Sequence, residues 1–156
     1  MEIMIEVTKM NCDYVLKYLE KMEVPIVSKK NHDIIMCDLE KMIFLKEGVV
    51  KVSSILEDER EYNITYDKGP NLLSLMCDTL REDVAYRVRI RVESEEASFC
   101  LVSREDFSRA VKRDEKLKEY VEAYYRENLQ RALYRQKCMT TVSYTHLRAH
   151  ETRGNL

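Results

Sequence analysis

The stretch Ile-Phe-Leu-Lys-Glu-Gly-Val-Val-Lys-Val, residues 43–52, decides the fold predicted for this chain. It consists of an apolar run, one glycine and a second run rich in β-branched residues, a pattern typical of two strands that meet at a turn. Gly48 suits the bend because glycine adopts a positive φ at little steric cost. We therefore expect a central hairpin here, with further strands on both sides of it in sequence.

The residues that follow this hairpin continue the β pattern. Val49–Leu56 and Glu61–Tyr66 predict a longer ribbon, which the turn Asp67-Lys68-Gly69-Pro70 closes. Val84–Val92 alternates and predicts a half-buried strand. Its apolar face comprises Val84, Tyr86, Val88, Ile90 and Val92, and its polar face comprises Arg87, Arg89 and Arg91. Ser98–Val102 predicts a last short strand, after which Ser103 and Asp106 occupy the N-cap and capping-box positions of a helix.

The segment before the central hairpin predicts one helix and two short strands. Asn11 can cap a helix from Cys12 to about Met22, whose apolar residues recur at helical spacing. Met1–Lys9 reads as a weak strand or extended arm. Val24–Val27 and Ile34–Cys37 are the predicted strands.

This order of elements resembles the sensory β-roll of Crp/Fnr-type transcription regulators, over about Val24 to Cys138. The residues that carry the resemblance are Gly48, Lys51, Val52, Gly69 and Phe107. It implies a mainly β fold with flanking helices (α+β), a double-stranded β-helix or jelly roll of cyclic-nucleotide-binding type followed by a long C-terminal helix. It implies an effector-sensing roll over residues 1–110 and a dimerisation helix over residues 111–141. The alternative is an unrelated small jelly roll.

The resemblance places the effector site within Asn71–Asp83. Cyclic-nucleotide-binding members of the family use a Gly-Glu pair, a short helix and a downstream arginine to hold the ribose and the phosphate. The corresponding positions here are about Leu73-Ser74 and Asp83-Val84-Ala85, which lack both the carboxylate and the cation. We therefore expect an unknown small-molecule effector that is not a cyclic nucleotide. The candidate effector pocket comprises Leu73, Ser74, Leu75, Arg81, Tyr86 and Arg87.

A long helix is predicted from Asp114 to about Lys137, and its apolar stripe contains one asparagine. A helix of this length outruns a small roll, and a polar residue within the stripe is typical of a coiled-coil seam. The resemblance places the family's dimerisation helix here, so we expect a homodimer. The candidate interface comprises Leu117, Val121, Tyr124, Tyr125, Asn128 and Ala132. The alternative is a helix that packs only on its own roll.

Composition argues against several other classes of protein. A net charge of −2 gives no basic footprint for nucleic acid, and no apolar run is long enough to span a membrane. Five scattered cysteines indicate reduced thiols in a cytoplasm, and the resemblance implies a bacterial one. A cupin-type enzyme needs clustered histidine and glutamate ligands, whereas His32 is the one histidine outside the C-terminal tail. We expect no metal site, no cofactor and no enzymatic activity.

The tail Val142–Leu156 resembles a transposase-type sequencing adapter translated in frame, and we interpret it as non-native sequence. His146 and His150, although four residues apart, belong to this tail and predict no metal site. We expect the native C-terminus to be missing beyond about Thr141, together with a winged helix-turn-helix domain through which the whole protein would bind DNA. The chain is then the effector-sensing and dimerisation part of a Crp/Fnr-like regulator. The alternative is a stand-alone ligand-binding roll that never contacts DNA.

Overall fold

The secondary structure consists of eight strands between an N-terminal helix and two C-terminal helices, in a computed structural model that describes residues 2–37, 40–73 and 87–154. For residues 2–11 and 141–154 the description is limited to the backbone. The helices are α1 (Glu2–Lys21), α2 (Arg104–Arg113) and α3 (Glu115–Gly154). The strands are β1 (Ile26–Lys30), β2 (Ile34–Met36), β3 (Lys41–Glu47), β4 (Val49–Ile55), β5 (Glu61–Lys68), β6 (Asn71–Leu72), β7 (Val88–Val92) and β8 (Glu96–Ser103).

The strands form two four-stranded antiparallel sheets that pack face to face. The first sheet has the order β1-β8-β3-β6 and the second has the order β2-β7-β4-β5. Inward-facing side chains of both sheets, such as Leu45, Phe99, Val52 and Ile90, are buried together between them. This arrangement confirms the predicted mainly β roll with flanking helices.

The stretch that suggested a central hairpin instead crosses from one sheet to the other. β3 pairs with β6 and β8, whereas β4 pairs with β5 and β7. Gly48 lies at the crossing with φ of 109°, and a Cβ there would meet the Cβ of Ala97 at 2.7 Å. The hairpin prediction is wrong because the run Met42–Leu45 is buried on both faces. Such a run predicts a strand without indicating which strand pairs with it.

A second correction concerns the N-terminus, where α1 begins at Glu2. The prediction of an extended arm over Met1–Lys9 is wrong, because alternating apolar and acidic residues also fit a helix that extends from a packed segment. From Cys12 onward the prediction holds, since Cys12, Val15 and Leu19 are buried. The third helix also continues past Lys137, with helical backbone to Gly154.

Several local predictions agree with the structure. β4 and β5 form the predicted ribbon, and Ser103 caps α2 by accepting a hydrogen bond from the backbone N–H of Asp106 at 3.1 Å. The first two strands lie within a few residues of their predicted bounds. Of the strand predicted over Val84–Val92, residues 88–92 form β7, and residues 84–86 lie outside the described residues.

The helices cover the outer face of the first sheet. Met42 and Phe44 of β3 turn away from the second sheet and pack with α1, α2 and the first turns of α3. Tyr120 of α3, fully buried, is among the largest side chains of this second core. The outer face of the second sheet has no helix over it among the described elements. None of the described helices is apolar enough over a sufficient length to cross a membrane.

Candidate functional site

A small cavity lies where the open end of the roll meets α3. The described side chains enclose about 20 Å³, room for roughly one water molecule. The roll and α3 both contribute to the walls, which consist of Val52, Thr65, Asp67, Asn71, Leu72, Leu73, Tyr124, Glu127, Asn128 and Arg131. Six of these ten side chains are polar or charged even without counting Tyr124, so the cavity suits a polar group.

Asp67 contributes a half-buried carboxylate to this cavity. It lies opposite Val50 in the β4–β5 ribbon, and Val50 faces the core between the sheets. Burial raises the pKa of the Asp67 carboxyl, and the positive charge of Arg131 opposes this shift. The side-chain amide of Asn71 donates a hydrogen bond to Asp67 Oδ1 at 3.3 Å. A carboxylate in this setting is a strong acceptor for a ligand hydroxyl or amine.

The α3 side of the cavity contributes charge of both signs. Arg131 Nη2 donates to Glu127 Oε1 at 2.6 Å, one helical turn away. Asn128 donates its amide to the Tyr124 carbonyl at 2.9 Å, which leaves its side-chain oxygen as an acceptor beside the cavity. The cavity therefore combines a guanidinium, two carboxylates and two amides, groups that together can bind a small ligand with both acidic and hydroxyl groups.

The Tyr120 hydroxyl ties this site to the helices. It accepts a hydrogen bond from the Leu72 N–H at 3.1 Å and donates to Asn71 Oδ1 at 3.4 Å. The Cys12 thiol of α1 donates a hydrogen bond to the Tyr120 hydroxyl oxygen at 3.6 Å. Burial raises the pKa of the Tyr120 hydroxyl well above its usual value and also raises the pKa of Cys12, so both groups stay neutral. One hydroxyl thus joins α1, β6 and α3 directly beside the cavity.

The structure places only part of the predicted effector pocket. Leu73 lines the cavity and is 5% exposed, and its N–H donates to the Ile43 carbonyl at 2.9 Å. Arg87 is half-buried at the start of β7 and does not line the cavity. Ser74, Leu75, Arg81 and Tyr86 lie outside the described residues. The predicted pocket stays a prediction.

Sequence reasoning missed Asp67, Asn71, Glu127 and Arg131 as site residues. Asp67 belongs to a segment that the sequence predicts as a turn. Glu127 and Arg131 belong to α3 but lie outside its predicted apolar stripe, so the sequence predicts them to be solvent-exposed. Their convergence depends on how α3 lies across the end of the roll, which no local pattern indicates.

The predicted dimer residues divide between two faces of α3. Leu117 and Tyr124 are buried against the chain's own roll, and Val121 packs partly on the same core. Tyr125 and Ala132 are exposed, and Asn128 is half-buried at the cavity wall. A further set of apolar side chains on α3 is exposed, namely Leu129, Leu133, Tyr134 and Met139. The proposed homodimer interface stays a prediction.

Comparison with known proteins supports this assignment of the fold. No family model matches the chain. It is 36% identical over 130 residues to a lactate racemization regulatory protein of Lactiplantibacillus plantarum, an alignment that covers 81% of the chain and 59% of that protein. The chain therefore spans less than two thirds of the length of this curated relative.

Solved structures give the same architecture at lower sequence identity. Reduced CprK without ligand is similar with a TM-score of 0.61 at 18% identity, over 81% of this chain and 57% of CprK. The structure resembles the sensory domains of Crp/Fnr transcription regulators. FixK2 from Bradyrhizobium japonicum gives 0.52 at 16% identity, over 69% of this chain and 52% of FixK2. A transcriptional regulator from Thermotoga maritima gives 0.54 at 17% identity, over 71% of this chain and 90% of that one.

Proposed function

We propose that this chain is the effector-sensing and dimerisation part of a Crp/Fnr-like transcription regulator. The observation that carries the proposal is α3 itself, whose residues 124–131 close a polar cavity on the roll while later turns expose apolar side chains. A helix that both walls a ligand site and extends beyond the domain can convey ligand occupancy to whatever its far end contacts. In the whole protein, the far end of α3 would contact a DNA-binding domain that lies outside the present chain.

The effector of this proposal is a small polar molecule that binds between Asp67 and Arg131. Ligand binding requires the cavity to open, because its present volume accommodates about one water molecule. The name of the curated relative makes the two enantiomers of lactate the first ligands to test. A hydroxy acid has a carboxylate for Arg131 and a hydroxyl for Asp67, and it requires a much smaller opening of the cavity than a cyclic nucleotide does.

Thermal unfolding with added ligand tests this effector site. A ligand at 100 times its Kd adds about 2.7 kcal/mol of stability, which is readily measured. We expect a shift with millimolar D- or L-lactate, its loss in Asp67→Asn and Arg131→Gln, and its retention in the control Arg126→Gln, which removes an exposed charge from the same helix. A shift with cyclic AMP or cyclic GMP, or equal shifts in all variants, would contradict the proposal.

The DNA-binding part of the proposal is tested with an intact genomic copy of the gene. We expect its reading frame to continue into a helix-turn-helix pattern, and its product to select a palindromic operator whose half-sites are roughly 34 Å apart. The present chain should select no sequence, because specific binding also needs a recognition helix and several phosphate contacts. A frame that ends near Thr140 would favour the alternative, a stand-alone ligand-binding roll.

A further inference from the structure

The outer face of the second sheet carries a concentration of arginine that the proposed function does not use. Arg89 and Arg91 of β7 alternate with the inward-facing Val88, Ile90 and Val92, so they point away from the core. Arg87 precedes β7 at the same alternation and is also half-buried. In an extended strand these three positions are spaced about 7 Å apart.

Strand register extends this face to both neighbours of β7. Arg91 lies opposite Ile34 of β2 and Lys51 of β4, and Arg89 lies opposite Met36 of β2 and Ser53 of β4. Directly opposed residues of antiparallel strands point to the same side of the sheet. The basic row is therefore bordered by Ile34 and Met36, which are 50% and 45% exposed.

The positive charges of this face are only partly neutralised. Lys51 forms an ion pair with Glu61 at 3.4 Å, and Arg91 Nε donates to Glu93 at 2.9 Å. Within the part of the chain that the structure describes, Arg87 and Arg89 have no acidic partner. The face has two uncompensated cations in a molecule whose net charge is −2.

Glu61, at the edge of this sheet face, is affected by the same positive charges. A hydrogen bond from Ser53 lowers the pKa of its carboxyl, and the charges of Lys51 and Arg91 lower it further. Lys51 and Ser53 on β4 are buried, with 7% and 1% of their surface exposed, so a bound acidic group would meet the half-buried Arg87 and Arg89 on β7 instead.

The composition of the face is that of a protein–protein interface rather than of an ordinary solvated sheet. Arginine, methionine and tyrosine are enriched at such interfaces, and lysine is depleted. Here three arginines lie beside Met36, Ile34 and, across Lys51, the 62% exposed Tyr66. Half-buried guanidinium groups on a rigid sheet lose little side-chain freedom on binding, so they form stronger contacts than mobile surface lysines.

We propose that this outer sheet face, comprising Ile34, Met36, Arg87 and Arg89, is a docking surface for an extended acidic segment of another protein. Alternate acidic residues of an extended segment repeat at the spacing of the arginines along β7. Apolar residues of the same segment would cover Ile34 and Met36. The helices α1 and α2 lie on the first sheet, and α3 crosses the end of the roll beside β5. Docking on β2 and β7 therefore leaves the effector cavity accessible.

Fluorescence anisotropy with labelled peptides tests the proposal on the full chain. The probe is a ten-residue peptide of alternating glutamate and leucine, with matched glutamine–leucine and lysine–leucine peptides for comparison. We expect only the glutamate peptide to bind, and its binding to weaken as salt is raised because the contact is ionic. The double variant Arg87→Gln, Arg89→Gln should lose about tenfold or more in affinity.

The matched control is Lys112→Gln with Arg113→Gln, which removes two exposed charges from α2. It should bind the glutamate peptide like the unaltered chain. Circular dichroism checks that each variant is folded, and Arg89→Gln alone serves if the double variant is not. Equal losses in both double variants, or no binding at about 1 mM protein, would overturn the proposal. So would tighter, arginine-dependent binding of duplex DNA, or a self-association that Arg87→Gln, Arg89→Gln abolishes.

Discussion

At the scale of single residues, the Tyr120 hydroxyl has the most consequential position in the molecule. It is fully buried, and its oxygen is the partner of the Leu72 N–H and of the Cys12 thiol. A buried backbone N–H that loses its acceptor has no water to replace it. The stability of this junction therefore depends on one oxygen atom contributed by α3.

Replacing Tyr120 by phenylalanine should lower the free energy of unfolding by about 1–3 kcal/mol, because the ring still fills its space while the Leu72 N–H is left unpaired. Urea unfolding measures the change. The control is Tyr66→Phe, which removes a hydroxyl from a side chain that is 62% exposed and should cost less than about 0.5 kcal/mol. Equal effects of the two substitutions would show that the hydroxyl contributes nothing.

Asp114 fixes the start of α3 and also ties it to α1. Its Oδ1 accepts hydrogen bonds from the N–H groups of Lys116 and Leu117, and its Oδ2 accepts one from the Tyr14 hydroxyl at 2.6 Å. The Tyr14 hydrogen bond, followed by the backbone hydrogen bonds, lowers the pKa of the Asp114 carboxyl. The favoured form of this junction is therefore the charged one.

Asp114→Asn should cost about 1 kcal/mol at neutral pH, because asparagine keeps a cap but loses the charged acceptor for Tyr14. A lowered native pKa means that the carboxylate's contribution is complete above the unfolded value near 3.9 and is lost as pH falls through the native value. Urea unfolding from pH 7 down to about pH 3 should show the gap between the two proteins closing. A gap that stays constant, or one equally large for the exposed Asp13→Asn, would contradict this account.

At the scale of elements, α3 has two different environments along its length. Leu117, Tyr120 and Tyr124 face the roll at helical spacing, whereas Tyr125, Leu129 and Leu133 form a second stripe at intervals of four residues. Leu129 and Leu133 are 61% and 57% exposed. Exposed leucines one turn apart on a helix about 60 Å long are typical of a helix–helix seam.

Introducing charge into this second stripe tests the proposed dimer. Leu129→Glu with Leu133→Glu should give a folded monomer, because paired carboxylates in a two-fold seam repel each other and both positions are exposed in the single chain. Sedimentation velocity measures the oligomeric state. Tyr134→Glu, on another face of the same helix, should leave the dimer intact. If the unaltered chain is already a monomer at high micromolar concentration, the stripe has another partner.

At the scale of the whole molecule, the sequence predicted those parts of the fold that depend on residues close together in the chain. The β4–β5 ribbon, the Ser103 cap and the face of α1 from Cys12 onward all follow from local spacing. The partner strands of β3 did not follow from local spacing, because a run buried on both faces does not indicate its neighbours. The first turns of α1 did not follow either, because a short alternating segment fits both a strand and a helix. Asp67 and Arg131 meet only because α3 crosses the end of the roll.

Residues 142–156 provide a whole-molecule test of the adapter interpretation. Deleting them should change the free energy of unfolding by no more than about 0.5 kcal/mol, as expected if they are non-native sequence. Urea unfolding of the shortened chain measures this, and deletion of residues 125–156 is the matched comparison. That larger deletion removes Arg131 and Glu127 from the cavity wall and should be clearly destabilising. A large loss from the shorter deletion would show that the tail is a native structural element.

The pairing of β1 with β8 has a consequence for synthesis of the protein. Ile26 finds its partner Cys100 roughly seventy residues later, and β3 also pairs with β8. At roughly 5–20 residues per second, β1 leaves the ribosome about 4–14 s before the strand that completes the first sheet. During that interval β3 has only its short pairing with β6, and α1 is the only one of its three covering helices that precedes β8 in the described chain. We therefore expect the growing chain to depend on chaperones most just before β8 emerges. Slow codons between residues 56 and 96 would prolong that dependence, although they change no amino acid.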